Sequence, residues 1–200
     1  GDMKISIEYI PKFVDEMISN YIEVKYNDGE IDSLYMHGMA STYFHVIDDT
    51  LLMGVNDVSG DSIRMLFNQS ELKHIKVSGG GRGSFFPEKN NSNIDSTIKY
   101  YSEIIEYNLL SEESYLYNTA SVSHQGTELQ SGYIHVNWDT HMLKAEEKYE
   151  QIPTVISNEK EPMTGSALSF NLINKKGIIN KGKTKLNDSY YHGNKIFKEE

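Results

Sequence analysis

Seven histidines are the first residues whose chemistry would show as a pattern: His37, His45, His74, His124, His135, His141 and His192. The nearest two, His135 and His141, stand six apart and no HExxH is present, which excludes a helical pair of metal ligands. There is no cysteine, and so no disulfide, no thiolate zinc site and no thiol nucleophile. No G-x-S-x-G is present to raise a serine nucleophile. The carboxylate pairs Asp48-Asp49 and Glu112-Glu113 fall in turn-like stretches, where acidic residues are ordinary. A glycosidase pair needs only to meet in space, so spacing alone does not remove that chemistry. Gly79-Gly-Gly-Arg-Gly83 resembles a phosphate cradle, but a cradle needs a helix start behind it. Here Ser84-Phe85-Phe86-Pro87 follows and reads as strand, so a kink or bulge is the better reading. No catalytic residue, metal or cofactor is expected.

The elements behind these residues repeat. Ile22-Glu-Val24-Lys-Tyr26-Asn27 is echoed by Ile63-Arg-Met65-Leu-Phe67-Asn68, by Ile105-Glu-Tyr107-Asn108 and by Leu168-Ser-Phe170-Asn171. The shared unit is apolar-x-(Tyr/Phe)-Asn, and eleven residues after each Asn stands a small residue: Gly38, Gly79, Thr119 and Gly182. The first two units also match Glu30 with Glu71, Leu34 with Ile75 and Phe44 with Phe85. Each unit reads as strand, turn, strand. Ile22, Val24 and Tyr26 share one face and Glu23, Lys25 and Asn27 the other, the period of two of a half-buried strand. Asn27-Asp28-Gly29 supplies residues that tolerate positive φ in a hairpin turn. A fifth hairpin, lacking the Asn signature, runs from Tyr133 to Leu143.

Residues 96–113 also fit helical spacing, but their repeat partners alternate, so strand is expected. Phe13, Val14, Met17 and Ile18 suggest two helical turns over 11–18. Loops are expected at 47–60, 87–96 and 149–164. The whole is an all-β chain of stacked antiparallel hairpins about 20 residues long. No single unit buries its own face. Stacked units do so as a β-solenoid, an elongated jelly roll or a folded-over sheet. At 200 residues this is a single domain spanning 1–200. It opens Gly1-Asp2-Met3, so either a leader was removed or it is an excerpt of a longer protein.

Charge narrows the function. With 19 basic and 29 acidic residues, net −10, the chain lacks the basic footprint of a nucleic-acid binder. The excess is uneven: residues 161–200 hold 7 basic and 4 acidic residues. The longest apolar run is about four residues, too short for a transmembrane helix. What remains is the apolar face: Ile22, Val24, Tyr26, Met36, Ile63, Met65, Phe67, Val77, Ile105, Tyr107, Tyr117, Ile134, Val136, Leu168 and Phe170. It is either the core of a closed sandwich or the lining of a groove open to an elongated lipid.

Three segments resemble the OstA-like family of periplasmic lipopolysaccharide-transport proteins, whose members include LptA, LptC and the N-terminal domain of LptD. They are Glu30-Ile-Asp-Ser-Leu-Tyr-Met-His-Gly38-Met-Ala40, then Gly60-Asp-Ser-Ile63 through Leu72 and Gly79-Gly80 to Phe86-Pro87, and Gly165-Ser-Ala-Leu-Ser-Phe-Asn171 through Gly177 and Gly182 to Gly193 and Ile196. With Gly132-Tyr-Ile-His-Val-Asn-Trp138 the likeness covers most of 20–196. The third segment is most similar to the stretch that precedes the membrane barrel in LptD-type members. The resemblance implies a β-jelly roll folded like a taco, a periplasmic place and a part in outer-membrane biogenesis. It implies a non-enzymatic carrier that holds lipopolysaccharide acyl chains in the apolar groove. It also implies partners of the same fold, or further copies of the chain, docking edge to edge. The rival readings are a β-solenoid adhesin or structural surface module with a closed core, and a β-helical polysaccharide-active enzyme.

Overall fold

A computed structural model describes residues 3–9, 13–48, 51–69, 71–90, 92, 94–157, 160–186 and 189–198. Among them there is no helix. Fifteen strands form one antiparallel sheet. They are β1 (Met3–Tyr9), β2 (Phe13–Ser19), β3 (Tyr21–Asn27), β4 (Glu30–Asp48), β5 (Leu51–Asn68), β6 (Glu71–Pro87), β7 (Ile98–Asn108) and β8 (Glu113–His124). The rest are β9 (Thr127–Asn137), β10 (Met142–Glu146), β11 (Thr154–Ser157), β12 (Lys160–Thr164), β13 (Ala167–Asn171), β14 (Gly177–Leu186) and β15 (Ser189–Lys198).

The sheet is folded along a line. Where β4 pairs β5 the register shifts between His37 and Ala40, and where β6 pairs β7 it shifts between Ser78 and Gly81. Between β8 and β9 it shifts between Tyr117 and Ala120. At each shift two consecutive residues take left-handed backbone: Gly38 and Met39 (φ 80° and 53°), Gly79 and Gly80 (78° and 74°), Asn118 and Thr119 (62° and 52°). Such bulges put an extra residue on one strand and bend it. Stacked in alternate strands they make a crease, and each long strand crosses it to serve two facing walls. The glycine-rich stretch is therefore a bulge, as its sequence suggests.

The turns explain the repeated asparagine. Asn108, Asn137 and Asn171 each end a strand. Asn108 Oδ1 accepts from the backbone N–H of Leu110 and Ser111, and Asn171 Oδ1 from those of Ile173 and Asn174. Such side chains close a turn on themselves. Asn137 Oδ1 does the same for Thr140 N. The fifth hairpin thus carries the signature after all, with Val136-Asn137 in place of an aromatic-Asn pair.

Three expectations are corrected. Residues 13–18 are strand: β2 pairs β1 on one side and β4 on the other, and its inward residues are Asp15, Met17 and Ser19. Two ladders outweigh a weak helical spacing. Residues 11–12 lie outside the described residues. The 47–60 loop is also strand, running to Asp48 and resuming at Leu51. Its inward positions, Gly54, Asn56 and Val58, are mostly not large apolar residues, which hid the alternation. The 149–164 loop holds β11 and β12. The 96–113 stretch holds β7, as expected, and the loop expected at 87–96 is found among the described residues of 88–97, Pro87 ending β6. The hairpins of 20 residues are only the first-wall halves of the true units. β4, for instance, is 19 residues long and spans both walls.

The two crease glycines allow a direct test. A Cβ on Gly79 would lie 2.6 Å from the Asp61 side chain, whereas one on Gly80 would meet nothing closer than 3.9 Å. Both positions disfavour an L side chain by about 1–2 kcal/mol. Gly80→Ala should lose about that much in urea unfolding, and Gly79→Ala measurably more. Equal losses would show that Asp61 does not brace the crease.

Candidate lipid groove

The first wall carries two apolar rows in register. One runs Ile22, Met36, Ile63, Val77, Ile105, Leu116, Ile134, Ala145, Leu168, Ile179 and Ile196, each paired with the next across the sheet. The other runs Val24, Leu34, Met65, Ile75, Tyr107, Ser114, Val136, Leu143 and Phe170. Where Ser114 leaves room, the indole of Trp138 leans in and its Nε1–H donates to Ser114 Oγ (2.7 Å). The facing wall carries Ile5, Met17, Thr42, Val58, Gly83, Tyr100, Val122, Leu129, Val155 and Met163. Next to the crease this second wall is lined by small residues: Ala40 paired with Gly60, Gly81 with Ser102, and Ala120 with Ser131. A Cβ on Gly81 would fall 2.7 Å from Ile105. First-wall side chains therefore fill the space that larger second-wall residues would need.

Of the fifteen expected lining residues, thirteen lie on the inner side of the first wall. Ile22, Met36, Ile63, Val77, Ile105, Ile134 and Leu168 occupy the first row. Val24, Met65, Tyr107, Val136 and Phe170 occupy the second, and Phe67 packs beyond it. Two do not line the interior. Tyr26 shares the inward parity, but it sits at the turn end of β3, which no strand covers on its outer side, and is 65% exposed. Tyr117 points outward, because Leu116 is the residue that pairs Ile105. Its ring joins Tyr133 and Tyr149 around the Lys148 ammonium, with Nζ 5.2–5.4 Å from the three centroids. Sequence reasoning missed the whole second wall. The repeated Phe44 and Phe85 were its one visible trace.

Most of the interior is filled. Met36, Ile63, Val77, Ile105, Ile134 and Val58 have no exposed surface. One polar rung crosses it: the Tyr107 hydroxyl donates to Tyr100 Oη (2.6 Å), which donates to Asn56 Oδ1 (2.6 Å). Tyr100 lies flat over Gly83, where a Cβ would come 2.0 Å from its ring. Burial raises both tyrosine pKa values, so the rung stays neutral. Beyond the rung, toward β14, the walls part around a cleft of about 50 Å³. That is several times the roughly 10–15 Å³ one water needs. Leu129, Leu143, Val155, Met163, Leu168 and Phe170 line it, and His124 and Thr127 are its polar groups. Among the described residues no cluster of three or more His, Asp and Glu is placed to hold a metal ion.

With this geometry in place, comparison with solved structures finds the same fold in the crystal structure of LptH, from Pseudomonas aeruginosa. LptH is described as the LptA-homologous periplasmic component of the lipopolysaccharide transport device. The TM-score is 0.56 at 11% identity, over 71% of this chain and 93% of that one. No family model matches the sequence, and no curated protein matches it. The chain is therefore an LptA-like β-taco jelly roll by fold.

Two measurements probe this interior. Tyr100→Phe strands both the Tyr107 hydroxyl and Asn56 Oδ1, and should lose about 1–3 kcal/mol. Tyr107→Phe leaves the Tyr100–Asn56 bond intact and should lose about 0.5–1.5 kcal/mol. Denaturant midpoints of the two variants check the order. The second measurement is pH dependence. Burial holds the His124 pKa below its ordinary 6.5, with Asp95 partly opposing. The folded state therefore favours neutral His124, and that stability is whole above pH 6.5 and lost as pH falls from there. Hydrogen bonds from Tyr115 and Ser111, with His135 adding to them, hold Glu113 at about 2 against an ordinary 4.5. Its contribution is present above pH 4.5 and is lost between there and about 2. Urea midpoints against pH should show both losses. His124→Gln should flatten the upper one and Glu113→Gln the lower.

Proposed function

We propose that this domain is a non-enzymatic carrier that shelters lipopolysaccharide acyl chains between its two walls, in the periplasm, on their way to the outer membrane. The observation that supports this most is the in-register apolar row running through eleven positions of the first wall, from Ile22 to Ile196. A saturated chain resists water by about 0.8 kcal/mol per CH₂, so a dozen carbons resist it by roughly 10 kcal/mol. A continuous apolar lining removes that penalty without chemistry. The fold shared with LptH points the same way. At one end of the sheet β1 and β3 each present an outer edge, and at the other β15 does. Such edges invite another sheet, so the partners are like-folded proteins or further copies of the chain.

A second reading is a closed structural or surface module, and the filled interior of the first half favours it. Carriage then requires the walls to separate there, starting from the cleft that already stands open.

A photo-crosslinking residue at Leu168 should capture lipid A, and one at the outward Lys144 should not. Val155→Asp should abolish binding of a fluorescent fatty-acid probe while the domain stays folded. A folded domain that ignores both lipids would leave the structural module as the function.

A further inference from the structure

We propose that the cleft between β8 and β14 takes one chain of a fatty carboxylate, whose head group displaces Asp95 from Lys175. This rests on the carrier reading and adds to it a head-group site and a place of entry.

The mouth of the cleft is bridged by a polar clasp joining the two walls. Lys175 stands in the β13–β14 turn, at the mouth end of the first wall. Asp95 belongs to the 88–97 loop, at the mouth end of the second. Lys175 Nζ lies 3.3 Å from Asp95 Oδ2, across eighty residues of sequence. Gln125 Nε2 donates to both Asp95 oxygens (2.7 and 2.8 Å), and Ser96 Oγ donates to Oδ1 (3.3 Å). His124 Nε2 is 3.5 Å from Oδ1, and the His124 ring forms part of the cleft wall. Donors from three segments thus converge on one carboxylate beside His124, whose ring lines the apolar cleft.

That arrangement is an anion site filled by the protein's own side chain. Asp95 is the more exposed partner of the ion pair, with 56% of its side chain in water, so it can swing out without vacating a packed position. Lys175 is held more firmly. Its side chain is 29% exposed, and the Asn171 turn fixes its backbone through Lys175 N–H to Asn171 O (3.0 Å). Displacing Asp95 leaves Lys175, Gln125 Nε2 and Ser96 Oγ as donors for an incoming carboxylate of the same shape. The cleft below is apolar apart from His124 and Thr127, and its small volume suits one chain rather than several. The walls are also free to part here. β10, β11, β12 and β13 are separate strands of four or five residues, whereas β4 to β9 each run through or up to the crease.

The test measures binding of laurate, dodecanol and dodecyltrimethylammonium to the whole chain by displacement of a fluorescent fatty-acid probe. The chain length is constant and only the head group changes. The wild-type domain should prefer laurate. Lys175→Gln should weaken laurate about tenfold, as expected for loss of a charge-assisted contact, and leave dodecanol unchanged. Asp95→Asn should tighten laurate several-fold, because the competing carboxylate is gone. Urea midpoints of both surface variants should match wild type, which separates a head-group effect from misfolding. Equal affinity for all three heads, or equal weakening of laurate and dodecanol by Lys175→Gln, overturns the head-group site while leaving the carrier reading standing. Failure of every chain to bind the wild-type domain overturns both.

Discussion

The crease is the constraint on which everything else in this molecule depends. A flat sheet of these strands would leave a broad apolar face in water, and an antiparallel sheet needs a second layer to cover it. Here the sheet supplies its own second layer by folding back. The fold requires consecutive left-handed residues at the same level in alternate strands, which L side chains resist. Glycine fills three of the six left-handed positions in β4, β6 and β8, and Met39, Asn118 and Thr119 fill the others, so the bend is imposed even where the residue is unsuited to it. Thr119 shows how: its backbone N–H donates to Gln151 Oε1 at 3.0 Å. Contacts from the neighbouring segment hold what local preference would not. The register shifts of all the long strands agree with one another. One bend alone would break its ladders, whereas a row of them preserves the pairing on either side.

From the crease follows the division of labour between the walls. Near the fold line two large side chains cannot face each other, so size is assigned to one side. The first wall takes the isoleucines, methionines and valines, and the second takes alanine, glycine and serine. Farther out, the separation grows and both walls carry large residues, until Tyr107 and Tyr100 meet with their hydroxyls bonded. A buried polar rung of this kind is favourable only when every member is satisfied. Asn56 completes it on the far side. The rung therefore fixes the distance between the walls at one place, and the larger cleft lies beyond it.

This division also explains what could be read from the amino-acid sequence. The first wall was legible because nearly every second residue is large and apolar and because Asn108, Asn137 and Asn171 end strands and close their own turns. The second wall was not, because Gly54, Gly60, Gly81 and Gly83 face inward beside Thr42, Asn56 and Ser102, and small or polar residues leave no hydrophobic alternation. Val58 and Val122 were too few to reveal the pattern. Tyr117 misled because two neighbouring residues, Leu116 and Tyr117, are both suited to burial, and only the pairing of Leu116 with Ile105 decides between them. Tyr26 misled because parity says which face a residue occupies and not whether anything covers it. The clasp of Asp95, Lys175 and His124 had no sequence signal, since its members come from three turns that only the folded sheet brings together.

The order of strands sets where the two walls can part. Through β4 to β8 each strand passes across the crease, so the two walls are halves of the same covalent strands and share their ladders. After β9 the path divides. β10 and β13 continue the first wall, β11 and β12 continue the second, and β14 rejoins them by pairing with both β13 and β12. Within that interval the connection between walls runs through short segments such as the Lys148–Gln151 bridge rather than through continuous strands. Separation there disturbs fewer backbone ladders than separation anywhere in β4 to β8. The larger cleft, the thinnest covalent linkage and the only ion pair among the described residues that joins the mouth ends of the two walls all fall in this one interval. A sheet of uniformly creased strands would have no preferred place for its walls to part. The divided path after β9 gives this one a place where the walls can part while the creased half holds their registration.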